Sequence, residues 1–289
     1  MVFIHGRCER PLNTGDAGID PMNPGLLRAL YGTSGGSVIV PPFFKEAGLV
    51  GKAAEKFDVI SSMFTLHYFF ADPTTRDGFL NNIAENLKVG GFFIGCCFDG
   101  ETVYNSLSKL ALGGVLTGKE GDAEVWSIEK EYDVLADELA LPDTEAGLGR
   151  KIKVNFITIG EGHEEYLVNF EHLKKQLAGM GVDVLTPDEL TSLGLSESTG
   201  LFKKMYRESF RMPPKLREFS FLNRWFIFRR RSYGPLSEAL AGPVGEPVEI
   251  VLPVLPAALA PLAGGTRGRG GGRGRGGATR GTRGGRGGL

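Results

Sequence analysis

His67 and Tyr68 lie near the end of the run FDVISSMFTLHYFF, residues 57–70, and this pair is where chemistry is expected. Phe57, Val59 and Ile60 are apolar and partly β-branched, which suits a strand buried on both faces of a parallel sheet. Ser61, Ser62 and Met63 then fall at its carboxyl end, the edge at which open α/β sheets bind ligands. Cys8, Cys96 and Cys97 lack the paired spacing of a zinc site, and Cys96 and Cys97, being adjacent, point to opposite faces of one strand. They read as reduced core thiols of an intracellular protein, and no metal is expected.

The elements that would hold this pair follow from the pattern on either side. Phe79, Leu80, Ile83 and Leu87 recur at helical spacing within 72–87, and the pair Gly90-Gly91 is expected to end that helix before the buried strand FFIGCC. The unit is strand, crossover helix, strand. A helix is expected near Asn23–Tyr31 and another over Gly100–Leu112, with Val103, Leu107, Leu110 and Ala111 inward. Lys119–Tyr132 reads as a hairpin-like excursion around Val125 and Trp126, and Ile152–Ile159 alternates as a strand. Glu164–Phe170 is expected to be a turn capping a helix Glu171–Met180, Pro187 to open a helix over Asp188–Leu193, and Phe219–Arg229 to be the final strand. VFIHG at the amino terminus has the pattern of a strand, with no glycine-rich turn of the G-x-G-x-x-G kind after it.

The chain of 289 residues has a formal net charge of −1, which averages two unlike regions. Residues 264–289 hold Arg267, Arg269, Arg273, Arg275, Arg280, Arg283 and Arg286 without an acid, so the remainder is at −8. Glycine spacers between arginines cannot build a core, so this tail is expected to be disordered and to bind RNA through phosphate pairing and stacking. A solubilising low-complexity end is the plainer reading. Residues 233–263, rich in proline and alanine, read as a linker, and Pro253, Pro256 and Pro261 break the one apolar stretch there, so no membrane span is expected. The folded domain is therefore expected over 1–232.

Several blocks in order resemble one family. F-D-V-x-S-x-x-F-x-x-H-Y-x-F, N-L-K-x-G-G-x-F-I-G, E-Y-L-V-x-F, G-L-F and F-L-N-R-x-F-x-F together resemble the mRNA cap guanine-N7 methyltransferases, especially those of large DNA viruses. The resemblance runs from about Val2 to Arg230. It implies a Rossmann-like class I methyltransferase sheet, here expected to be incomplete at the amino terminus, and S-adenosylmethionine as methyl donor. Guanine N7 has a free lone pair, so positioning and electrostatics suffice and no catalytic acid or base is expected.

By that resemblance His67, Tyr68, Phe156, Glu165, Trp225 and Phe98 surround the cap guanine, with Glu165 accepting from its edge and Phe156 and Trp225 as aromatic walls. Trp225 stands where a tyrosine is usual and Phe98 where cellular relatives have proline. Arg7, Ser61, Ser62, Met63 and Phe64 fall on the cofactor side. Arg7 replaces an expected aspartate and Met63 an expected glutamine, changes unfavourable for adenosine binding. Plainer readings exist: a satisfied core histidine for His67, a solvated acid for Glu165, core packing for Phe156 and Trp225.

The expected function is methylation of cap guanine N7 on capped RNA, beside a guanylyltransferase or triphosphatase partner. The alternative is an inactive methyltransferase-like subunit that binds capped RNA or stabilises an active partner. An RNA-binding module driven by the tail is the third reading. A nuclear location is expected for a cellular enzyme and a virus factory or the host cytoplasm for a viral one, with the nucleus favoured.

Overall fold

Strand and helix alternate around two sheets in the computed structural model, which describes residues 2–33, 38–134, 138–232 and 250–251. The order is α1 (Asn23–Tyr31), β1 (Val38–Ile39), α2 (Pro42–Glu46), β2 (Phe57–Met63), α3 (Pro73–Asn86), β3 (Leu87–Phe98), α4 (Gly100–Leu107), β4 (Val115–Glu120) and β5 (Ala123–Lys130). Then come β6 (Lys151–Phe156), β7 (His163–Tyr166), α5 (Phe170–Gly179), β8 (Val182–Val184), α6 (Pro187–Leu193), β9 (Thr199–Leu201), α7 (Phe202–Met205), α8 (Pro214–Ser220), β10 (Asn223–Arg230) and β11 (Ile250–Val251). The first sheet runs β2-β3-β10-β8, with β9 also on β10. β2 and β3 are parallel across the α3 crossover, and β10 is antiparallel to both β3 and β8. This is a Rossmann-like α/β arrangement, as expected.

One core lies where α3 and α5 cover the first sheet, through Leu80, Ile83, Phe93, Leu173, Phe226 and Phe228. A second lies between α4 and an antiparallel sheet β4-β5-β6-β7, through Val103, Leu107, Trp126, Ile128 and Ile152. Phe98, the last residue of β3, belongs to the second core, while its neighbour Cys97 belongs to the first. The carboxyl end of β3 is thus the seam between the two.

Several expectations need correction. VFIHG makes no strand; its backbone finds a single bridge, Gly6 to Gly18, and a strand without a ladder is not stable. Helix α3 stops at Asn86, with Leu87 already extended, because β3 begins there to pair with Phe57; Gly90 and Gly91 lie inside the strand instead of ending the helix. Helix α4 ends at Leu107 rather than Leu112, where the buried Lys130 ammonium donates to the carbonyls of Leu107 and Leu110. The segment expected as a turn at 164–170 contains β7, and Asn169 caps α5. Phe219 is in α8, not in the final strand.

Strand β2 also differs from its expected burial. Val59 is 52% and Phe57 39% exposed, because β2 is the edge of its sheet. Cys8 is exposed, whereas Cys96 and Cys97 are buried, so only the latter two are core thiols. Of the expected linker, Ile250–Val251 is described and pairs in parallel with Val38–Ile39; the rest of it and the tail lie outside the described residues.

Candidate active site

The turn after β2 decides where the imidazole goes. Phe64, a non-glycine residue, has φ of +54°, and its N–H donates to the Cys96 carbonyl at 2.8 Å. This left-handed step costs ~1 kcal/mol or more for an L-residue and turns the chain out of the strand. The Ser62 and Thr65 hydroxyls, 2.8 Å apart, clamp the bend, and a 3₁₀ turn over Leu66–Phe69 follows. Leu66 enters the first core and His67 is carried inward, 3% exposed.

Strand β7 packs against this turn and brings Glu165, opposite Ile152 in the ladder to β6. His67 Nε2 and Glu165 Oε2 are 3.5 Å apart. The separation suits an ion pair, but both groups are buried and dry. Desolvation lowers the imidazole pKa to about 4 and raises the carboxyl pKa to about 7. At neutral pH His67 is therefore uncharged while Glu165 is near its midpoint. Both ring nitrogens of His67 and one oxygen of Glu165 are buried without a hydrogen-bond partner. Orphaned polar atoms of this kind each cost ~1–3 kcal/mol, so a structural role alone does not account for them.

Aromatic rings line the approach. Tyr68, 43% exposed, meets the His67 ring edge-on at 4.4 Å, and burial followed by the Glu165 charge raises its phenol pKa. Phe98 lies 6.4 Å from His67. Phe219 bridges Phe98, at 5.3 Å, to Phe156, at 4.8 Å. Behind it Trp126 donates to the Lys215 carbonyl at 2.8 Å, and its indole lies so close over β4 that a Cβ on Gly118 would come within 2.1 Å of Nε1. The wall is fixed from the back.

His67, Tyr68, Glu165 and Phe98 thus come together directly, and Phe156 joins them through Phe219. Trp225 does not join this set: it sits opposite Cys96 and Gly200, and its buried Nε1 has no partner. Sequence reasoning missed Phe219, although Pro213-Pro214 with Leu216 and Phe219 three apart is a helix-start signal. It also missed Asp99, which caps α4 and pairs with the Arg224 guanidinium at 2.6 Å, tying the end of β3 to β10.

The five cofactor-side residues do not converge. Ser61 and Ser62 line a cavity of about 410 Å³ with Thr65, Tyr68, Phe79 and Asn82, and no charged side chain faces it. Met63 and Phe64 are half exposed, with Met63 against Cys96 on the β3 side. Arg7 pairs with Glu9 in a separate polar groove beside Thr74 and Thr75. S-adenosylmethionine carries a charged amino-acid head and a sulfonium, and no charged side chain of this lining matches them. The described residues do not make a fitting site for it, and no step is assigned to it below. Among the described residues no cluster of metal ligands occurs and no helix is long and apolar enough to cross a membrane.

Residues 45–186 match the mRNA (guanine-N(7))-methyltransferase domain. A probable mRNA-capping enzyme of Acanthamoeba polyphaga mimivirus is 27% identical over 245 residues, covering 71% of this chain and 20% of that protein. The mRNA cap guanine-N(7) methyltransferase of Aspergillus oryzae is 43% identical over 54 residues, 19% of this chain and 11% of that one. The chain thus spans about a fifth or less of these relatives. Among solved structures, the CcbJ methyltransferase of Streptomyces caelestis aligns at 14% identity and a TM-score of 0.35, over 61% of this chain and 58% of that chain. That likeness is too distant to add to the sequence match. Over residues 45–186 the chain is thus similar to the mRNA (guanine-N(7))-methyltransferase family, a likeness that the mimivirus protein supports.

Proposed function

We propose that this chain holds the guanine of an RNA 5′ cap between Tyr68 and Phe156, presenting N7 for methylation from S-adenosylmethionine. The observation that carries the reading is the buried His67–Glu165 pair with its unpartnered polar atoms. The Watson–Crick edge of guanine offers N–H donors, and Glu165 is an acceptor when ionised. Guanine binding therefore favours the carboxylate and draws its pKa back down. Neutral His67 supplies one donor and one acceptor. Because N7 keeps its lone pair at neutral pH, the chain needs to orient the base and exclude water rather than move a proton.

The substrate class is capped RNA, with a guanylyltransferase or triphosphatase acting before it; the arginine tail would raise local RNA concentration. A nuclear site suits a cellular enzyme of this kind. The test incubates purified chain with labelled S-adenosylmethionine and GpppG-capped RNA, and measures cap binding in parallel. Cap binding is expected, and label on guanine N7 would show that a methyl-donor site forms as well. Cap binding without transfer would reduce the proposal to recognition alone, and loss of both would reject it. Removing residues 264–289 is expected to weaken RNA binding mainly at low salt.

A further inference from the structure

The segment between β9 and β10 lies at the same edge of the sheet as the guanine pocket, since Asn223 pairs with Phe98 and Leu201 with Arg224. One end of the segment touches the turn that leads to His67, and the other touches the aromatic wall. The Phe202 ring meets Phe64 edge-on at 6.3 Å, and Phe219 packs against Phe98 and Phe156. Between these contacts the sequence KKMYRESFRMPPKLR, residues 203–217, holds six cations and one carboxylate. In a body whose charge outside the tail is −8, this is a local reversal of sign.

Three of the cations are matched nearby: Lys204 by Glu197, Lys215 by Glu218, and Arg217 by Glu208 and the Tyr206 ring. Lys203, Arg207 and Arg211 are exposed and make no ion pair among the described residues. Arg211 is held at a left-handed φ of +49°, and Phe210 beside it is 61% exposed. A merely solvated face needs neither a strained arginine nor an exposed ring. Arginines and lysines with an interleaved aromatic suit a polyanion that also carries stackable bases.

We propose that Lys203, Arg207 and Arg211 bind the phosphate chain of capped RNA as it leaves the guanine pocket, with Phe210 stacking on one of the first bases. The assignment rests on the guanine pocket described above. That pocket seats one end of the RNA, and the basic segment runs from the turn before His67 to the aromatic wall.

The test uses the full chain, a 20-nucleotide RNA with and without a GpppG cap, and a salt titration of binding. Lys203→Gln, Arg207→Gln and Arg211→Asn are combined, asparagine being chosen because it tolerates the left-handed conformation. The log–log salt slope for capped RNA is expected to fall by ~2, at ~0.7 per lost contact to a single strand, and affinity at low salt by on the order of tenfold or more. The preference for capped over uncapped RNA should survive. Phe210→Ser should lower affinity without moving the slope. The tail contributes equally to both proteins, so it cancels in the comparison. An unchanged slope and affinity in the triple variant, with the wild-type fold retained by circular dichroism, overturns the proposal. The pocket reading fails separately: Glu165→Ala leaving the cap preference intact would reject it while the slope change still stood.

Discussion

The carboxyl end of β2 and its outer edge belong to one seven-residue strand, yet they are unfinished in opposite ways. At the end, His67 and Glu165 are buried and polar, with both imidazole nitrogens and one carboxylate oxygen lacking a hydrogen-bond partner. Along the edge, Phe57 and Val59 are apolar and open to solvent, beside a cavity without charge. A polar group buried without a partner is costly and calls for a ligand that makes hydrogen bonds. An exposed apolar edge strand is also costly, but what it calls for is another backbone or more apolar surface. The polar end thus holds buried groups that a hydrogen-bonding ligand would satisfy, whereas the edge holds apolar surface.

The sharpest way to break this contrast is to remove the polar end. Glu165→Ala is expected to weaken binding of GpppG by ~100-fold, the size of a lost charge-assisted hydrogen bond plus a buried group left unpaired. Fluorescence titration against uncapped RNA, which should hardly change, is the control. Equal losses for both ligands would put Glu165 in the scaffold rather than the site.

The protonation of that end offers a second test. With the Glu165 pKa at about 7 in the free protein, cap affinity should fall roughly tenfold for each pH unit below 7. In Glu165→Gln this dependence should vanish. Stability has the opposite sign: a carboxyl whose pKa rises on folding favours the folded state at low pH, and this contribution is lost as pH rises from about 4.5 to about 7. The Glu165→Gln protein should therefore gain up to ~3 kcal/mol over wild type at pH 8 relative to pH 4.5. His67, lowered to about 4, loses stability as pH falls from about 6.5 to about 4, so His67→Asn should help only in acid. Urea melts at several pH values check both.

A smaller effect is expected from behind the wall. Gly118→Ala should displace Trp126 and cost ~1–3 kcal/mol as an overpacking change, with the cap affinity falling because Phe219 and Phe156 shift together. The smallest effect belongs to the edge. Val59→Lys should change stability by within ~0.5 kcal/mol and reduce self-association in light scattering. A large loss of stability there would mean that the edge is covered, and the contrast drawn above would fall.

Much of the scaffold was legible because it is local. The α1 span, the hairpin around Val125 and Trp126 and the Pro187 helix start follow from short-range periodicity and turn chemistry. The misplaced boundaries were those set by pairing. Leu87 leaves its helix to meet Phe57, and residues 163–166 become a strand because β6 offers a ladder. Phe219 was hidden because an aromatic in FSFLNRWFIF fits a strand by composition until the neighbouring helix start is weighed.

By itself the sequence determined the order of most elements and the block spacing that resembles the family, and it singled out His67, Tyr68 and Glu165 as candidates. It could do so because types and spacings survive without coordinates. Only the tertiary structure decided that Glu165 and His67 are buried side by side, that Trp225 stands apart from the Phe98–Phe219–Phe156 wall, and that Arg7 and Ser61 line different cavities. Desolvation and convergence depend on which distant segments pack together, and 98 positions along the chain separate His67 from Glu165.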